Sequence, residues 1–328
     1  MTIEAVAICD SIGQYSSRLL TIRATNPKFV HQETLRHRLI YIEDMLRGDF
    51  DFSFSVSSAR AIPFAKLCEE AENPETMAKP VKWGAEQRGM SMGDELEDSA
   101  RKQAEQIWVE AANAAVLHAK RMADIGAHKS IVNRIIEPYI HVHCLMTATE
   151  PGWMNFFGLR LDGAADPTVR ALAEACWKVW NESMPKRLQP GMWHLPYIED
   201  EDFKTLTKIR GGEASLTIWE LACRVSAARC ARLSYMSFDT GKISTFKENM
   251  ALYDRLITSR PIHASPTEHQ ACIDRIRHEY QNYDSGYHGN PEIWENGRQG
   301  GNLGPGWRQF RKMIPGEALA ALPEGYCV

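Results

Sequence analysis

Arg36-His37-Arg38, within FVHQETLRHRLIYIE, sets two guanidiniums on either side of an imidazole. Planar forks in that arrangement suit a phosphate or a carbonyl-rich ring; the same triplet also suits a solvated helix end with unrelated salt bridges. A second cluster, Phe54–Pro63 (FSVSSARAIP), puts small hydroxyls next to Arg60 just past a predicted strand. Backbone N–H groups and hydroxyls there can face a phosphate, although serine-rich turns also occur without function. Further along, GAHKSIVNRIIEPYIHVHCLMTATEPGWMNFFGLRLDGAADPTVRALAE distributes Arg134, Arg160 and Arg170 around strand and helix ends. His141 and His143 share one strand face, which superficially suggests a metal. No carboxylate or third histidine stands at metal spacing, so two polar residues on a half-exposed strand are expected instead. Finally, Ala231–Tyr235 (ARLSY) is followed by His263–His269 (HASPTEH). A Glu-His pair after Ser-Pro can orient an imidazole, order a water, or merely cap a helix.

These groups need elements to hold them, and helices give the clearer signal. Residues 94–125 are rich in Ala, Glu, Gln, Lys and Met, with Ile107, Ala111, Ala115 and Leu117 as the expected inward stripe. Asp166-Pro167 predicts a helix start, with Asp as N-cap and Pro at the first helical position, running through Leu172, Cys176 and Val179. Another helix is predicted over about 216–231. A further one starts at Thr245, whose Glu248 completes a capping box, with Leu252, Leu256 and Ile257 inward. Tyr139–Thr149 and Phe52–Val56 alternate and are rich in β-formers. Strands scattered among long helices predict a mixed α/β (α+β) domain. Gly/Pro-rich punctuation falls near 72–80, 189–202 and 280–305, the last reading as a long loop.

The bulk properties set limits. The 328 residues allow one large domain or two small ones; 44% hydrophobic and 24% charged residues support a packed core and exclude bulk disorder. A net charge of −4 provides no global field for nucleic acid. No signal peptide or membrane helix is expected from the N-terminal segment or any apolar run, which predicts a cytoplasmic protein. The eight cysteines form no CxxC pair and read as buried thiols, with no zinc site.

Taken in order, HR with SSARAIP, VKWGAEQRGM, HKSIVNRIIEP, TATEPGWMNFFGLRLDGAADPTVR, MWHLPYIED, ARLSY, HASPTEHQ and GWRQFRKM resemble the flavin-dependent thymidylate synthases, in the long form known from phages and some bacteria. The likeness covers most of residues 25–315. In shorter members the ARxSY and SPxEH segments precede RHR, so the order here looks circularly permuted, which chains with neighbouring surface termini tolerate. The resemblance implies a single catalytic domain over 1–328, with an RHR-to-LRLD half (25–190) and an ARLSY/SPTEH half (205–315) around a mixed sheet with long helices.

It also implies reductive methylation of dUMP to dTMP. FAD is the cofactor, NADPH and methylenetetrahydrofolate are co-substrates, and the sites lie between subunits of a homotetramer. Uracil C5 is a poor nucleophile; the chain contains no Pro-Cys dipeptide for sulfur attack at C6, which agrees with ring polarisation by cationic donors. Carried over by motif, Arg36, His37 and Arg38 contact flavin, with Arg160 and Ser234 beside it. Ser58, Ala59 and Arg60 hold the nucleotide near Arg134, Arg170 approaches the pyrimidine, and His269 lies near flavin and folate. Arg170 and His269 are the expected catalytic groups. The sequence departs from the family in three places: about a dozen extra residues at Leu39–Phe50, Ser55-Val56 where Asn-Glu is expected, and Asp166 where the family has Gln. These departures motivate two alternatives, a paralogue acting on another pyrimidine nucleotide such as dCMP and a non-catalytic nucleotide-binding homologue.

Overall fold

The computed structural model describes residues 3–34, 39–41, 48–210, 216–234, 244–258, 262–280 and 290–317, with backbone alone for 39–41, 48–50 and 234. The strands are β1 (Glu4–Ile12), β2 (Leu19–Pro27), β3 (Leu39–Tyr41), β4 (Gly48–Phe50), β5 (Ser53–Val56), β6 (His141–Thr149), β7 (Lys186–Arg187), β8 (Trp193–His194), β9 (Ala271–Ile273) and β10 (Trp307–Gln309). The helices are α1 (His31–Thr34), α2 (Phe64–Glu72), α3 (Asp98–Asp124), α4 (Lys129–Ile135), α5 (Glu150–Arg160), α6 (Pro167–Glu182), α7 (Asp200–Arg210), α8 (Ile218–Cys230) and α9 (Phe246–Tyr253). The main sheet has the order β5-β6-β2-β1-β7; it is antiparallel except where β7 joins β1 in parallel. A second sheet, β10-β9-β8, and the hairpin β3-β4 complete the mixed α/β fold expected from the sequence. The extra residues Leu39–Phe50 contain that hairpin.

The two faces of the main sheet differ in chemistry. One buries Leu20, Ile22, Ala24, Val142, Cys144, Met146 and Ala148 against α5 and α6. Trp153 anchors this layer, edge-on to Phe52 with ring centres 4.7 Å apart and donating Nε1–H to the Leu20 carbonyl. α6 forms as its sequence dictates. Asp166 Oδ1 accepts from the N–H groups of Thr168 and Val169, and Val169, Leu172, Ala173, Cys176 and Trp180 line its buried stripe. The opposite face carries Ser53, Ser55, Ser57, His143, Thr147, Thr149 and Thr21, and the C-terminal half of the chain covers it.

A bulge between Ala7 and Cys9 gives β1 one extra residue. Ala7 pairs with Ile22 on the apolar side, whereas Cys9 and Ser11 pair with Thr21 and Leu19 and face the hydroxyls. Ile8 packs beside Leu145, Cys230 and Leu233.

Several elements differ from the sequence expectation. The sequence marks neither β1 nor β2 as a strand: β1 is rich in small residues and lacks a continuous β-branched run. α3 lies within its predicted window, but its buried stripe is Ala112, Val116 and Ala119, while Ile107 and Leu117 are each 57% exposed. Small side chains let α3 approach α2 and α4 closely, which turns the larger ones outward. β6 is a central strand buried on both sides, not half-exposed, because the chain itself covers its polar face. The glycine-rich stretch read as a loop holds, over 290–305, a series of 3₁₀ turns with Trp294 and Leu303 buried. Burial of those side chains outweighs the local preference of Gly and Asn. Gly306, at φ 88°, sits where a Cβ would meet the Trp294 ring at 3.0 Å. Among the described residues no helix is long and apolar enough to cross a membrane. Six of the cysteines are buried free thiols and Cys9 is part-buried.

Candidate active site

β5 leads into the Ser58–Arg60 segment, and its neighbours are instructive. The 3₁₀ turn Ser265–Glu268 of the SPTEH motif packs on β5, and the 3₁₀ turn Ala231–Ser234 of the ARLSY motif packs on both β5 and β6. Three segments far apart in sequence therefore meet at one edge of the polar face. Past β5, the chain turns tightly: the N–H groups of Ala61 and Ile62 donate to the Ser58 carbonyl. Helix α4 straps this turn. Asn133 Nδ2 donates to the Ala59 carbonyl at 2.6 Å, and Lys129 Nζ to the Ala61 carbonyl at 3.2 Å.

Arg60 on the turn and Arg134 on the strapping helix are both exposed. Neither makes an ion pair among the described residues; Arg134 Nε donates only to the Ser130 carbonyl. Two guanidiniums without carboxylate partners, beside serine hydroxyls and a tight turn, fit a phosphate-bearing ligand.

The other residues singled out in the sequence are distributed as follows. Arg160, at the end of α5, donates to the Glu33 carbonyl of α1 at 2.6 Å, next to the segment carrying Arg36, His37 and Arg38. Those three residues lie outside the described residues, as does the side chain of Ser234. Arg170, in the first turn of α6, lies 3.8 Å from Glu174 on its own helix, and no described hydrogen bond ties it to the 58–62 turn. Asp166 is occupied as the N-cap of α6. Val56 packs against the apolar core on the α5/α6 side, so it faces away from Ser55 and the hydroxyl layer.

His269 is fully buried. The resemblance puts it beside flavin and folate; here its Nδ1 meets Thr147 Oγ1 at 2.8 Å and its Nε2 meets Ser55 Oγ at 2.9 Å. Burial lowers its pKa to about 3, so the ring is neutral. Any role it has toward a ligand runs through one of those two hydroxyls. Its motif neighbour Glu268 does not orient it. That carboxylate turns to Arg311 and lines a separate cavity of about 510 Å³ with Asp51, Asn302, Gln309 and Lys312. Burial raises the Glu268 pKa, and the Arg311 guanidinium opposes that rise.

The hydroxyl layer continues beyond His269. Thr147 Oγ1 meets Thr21 Oγ1 at 2.7 Å, Thr21 Oγ1 meets His194 Nε2 at 2.8 Å, and His194 Nδ1 meets Ser11 Oγ at 2.9 Å. His194 is also fully buried, and burial again lowers its pKa to about 3, with His269 adding to the effect. None of these contacts was expected from the sequence, and neither was the Asn133 strap. The usable signal was the run of alternate hydroxyls in FSFSVSS and TAT, which a strand places on one face. His141 and His143 have in-chain partners. His141 Nδ1–H donates to Glu70 Oε1 at 2.8 Å, and His143 Nδ1 pairs with Thr25 Oγ1 at 2.9 Å. Among the described residues no group of His, Cys, Asp and Glu is arranged to hold a metal ion.

Comparison with known proteins adds the following. Residues 20–186 match the family model described as thymidylate synthase complementing protein. No curated protein sequence matches the chain. Two crystal structures of a UMP/dUMP methylase, PolB, from Streptomyces cacaoi are similar over 55% of this chain. The one bound with 5-Br UMP has 14% identity and a TM-score of 0.40, covering 89% of the PolB chain. The one bound with 5-Br dUMP has 13% identity and a TM-score of 0.42, covering 90%.

Proposed function

The chain belongs to the thymidylate synthase complementing protein family, and on that premise we propose that it is a flavin-dependent thymidylate synthase that converts dUMP to dTMP. The observation that carries this reading is the meeting of three motif segments on β5, next to the Arg60 turn strapped by α4. Arg60 and Arg134 bind the nucleotide phosphate, with Ser58 and the backbone of Ala59 completing the cradle. Arg170 approaches the pyrimidine from a neighbouring subunit of a homotetramer. FAD would be held by Arg36, His37, Arg38, Arg160 and Ser234, with His269 near flavin and folate. When bound it supplies the electrons that complete the methyl group, drawn from NADPH, while methylenetetrahydrofolate supplies the carbon. The protein's own part is to align the ligands and polarise the uracil ring with cationic donors.

A visible spectrum of the purified protein tests this directly. Bound flavin that bleaches with NADPH, followed by conversion of dUMP to dTMP with the folate, supports the reading; a colourless protein that takes up no FAD and turns over nothing overturns it. The dCMP alternative loses two of its motives. Asp166 is consumed by two backbone N–H groups, and Val56 faces the apolar core. dUMP should therefore bind at least as tightly as dCMP.

A further inference from the structure

Ser55, His269, Thr147, Thr21, His194 and Ser11 are joined by five hydrogen bonds of 2.7–2.9 Å running across β5, β6, β2 and β1. Both imidazoles are fully buried, and the four hydroxyls are at most 7% exposed. Other hydroxyls on the same face end on backbone: Thr149 donates to the Leu303 carbonyl and Ser53 to that of Glu268. In the six-membered array, by contrast, every linking atom belongs to a group that can both give and accept a proton. Nothing in it is donor-only or acceptor-only, so nothing blocks passage. One end, Ser55, lies three residues before Ser58. The other, Ser11, pairs with Lys186 on the edge strand β7 and lies 4.0 Å from the thiol of part-buried Cys9.

We propose that these six groups form a proton relay across the sheet, carrying the proton displaced from the pyrimidine from Ser55 to Ser11. This rests on the function proposed above, in which methyl replaces the C5–H of uracil and one proton must leave per turnover. The balance is simple. As a proton arrives at Ser55 Oγ, Ser55 passes its own to His269 Nε2, and the Nδ1 proton of His269 passes to Thr147. Thr147 then protonates Thr21, Thr21 protonates His194 Nε2, and the His194 Nδ1 proton moves to Ser11, whose own proton passes to water at the exposed β7 edge. One proton enters and one leaves, both imidazoles exchange tautomer, and no electrons move. Rotation of the hydroxyls and return of the tautomers resets the array.

The geometry makes a demand that does not depend on the reaction. Each group brings one proton to the array, so an unbroken chain forbids one tautomer pair, His194 protonated at Nδ1 together with His269 at Nε2. In that pair the Thr21 and Thr147 oxygens would face each other with no proton between them. The two rings are thereby coupled although they do not touch. NMR shifts of the imidazole nitrogens in the full-length protein read this coupling. Ser11→Ala removes the acceptor at His194 Nδ1, and the tautomer ratio at distant His269 should shift with it; Thr147→Val should abolish that response. If His269 ignores Ser11→Ala, the relay is refuted whatever the enzyme does.

The catalytic readout is tritium release from dUMP labelled at C5 by the FAD-loaded protein. Thr147→Val should slow release about 100-fold, with NADPH-driven flavin bleaching held within about twofold and Thr147→Ser recovering most of the loss. Release at the unmodified rate in Thr147→Val overturns the relay, as does an equal loss in Thr147→Ser. No release from the unmodified protein, with the tautomer coupling intact, counts against the proposed function and not against the array.

Discussion

The two faces of the central sheet use the same strands for opposite ends. Toward α5 and α6, β2 and β6 present Leu20, Ile22, Cys144 and Met146, and the contact is made by shape and apolar area. Toward the C-terminal half, Leu19 and Leu145 make apolar contacts, but Thr21, His143, Thr147 and Thr149 between them are held by directed hydrogen bonds. An apolar layer tolerates small slips. A layer of hydroxyls and imidazoles does not, because each unpaired group costs about 1–3 kcal/mol when buried. The ARLSY and SPTEH segments rest on the second face, where position is specified most tightly, whereas Arg160 and Arg170 stand on α5 and α6 of the first.

Acid should separate the two layers most strongly. His194 and His269 are held near pKa 3, whereas an imidazole in the unfolded chain titrates near 6.5. Between those values the unfolded chain binds two protons that the folded chain refuses, so their contribution to stability is complete above pH 6.5 and falls as the pH drops toward 3. The expected slope is about 1.4 kcal/mol per imidazole for each pH unit. Urea midpoints measured across that window check it; a flat profile would break the contrast. On the apolar face, Trp153→Ala should cost about 3–5 kcal/mol in urea unfolding while leaving this acid slope intact. At the polar edge, Arg60→Ala should weaken dUMP binding about tenfold by calorimetry, with little change in unfolding midpoint, since Arg60 is exposed. Smallest is Asp166→Ala. Loss of the N-cap should cost about 1 kcal/mol of stability with the dUMP-over-dCMP preference unchanged; a changed preference would restore a role for Asp166 at the base.

Much of this was legible in the sequence, for local reasons. Asp166-Pro167 and Thr245 each cap a helix, and caps are short-range events. β5 and β6 were readable from their alternation. The functional motifs were legible as a series, but not their depth. His269 looks in sequence like a ligand-facing group; its burial depends on Ser55 and Thr147, more than 100 positions away. The sequence stripe of α3 holds at Ala115 and fails at Ile107 and Leu117 because apolar residues occur on two sides of that helix, and only packing against α2 and α4 decides between them. The packed 3₁₀ segment at 290–305 was hidden by its glycines, since local composition says nothing about the niche that Trp294 fills.

Because Ile8 and Cys9 of β1 both serve the hydroxyl side, odd-numbered positions ahead of the bulge point to the helices and odd-numbered positions after it point away from them. That inversion of parity puts Asp10 on the helix side, where it meets Arg18 above the Trp180 ring, and leaves Ser11 for His194. A chain shortened by removal of Ile8 would straighten the strand yet keep Cys9, Asp10 and Ser11 on their present sides, emptying only the niche beside Leu233. Adding a residue between Cys9 and Ser11 would do the reverse, turning the serine into oil and stranding an imidazole without its neighbour.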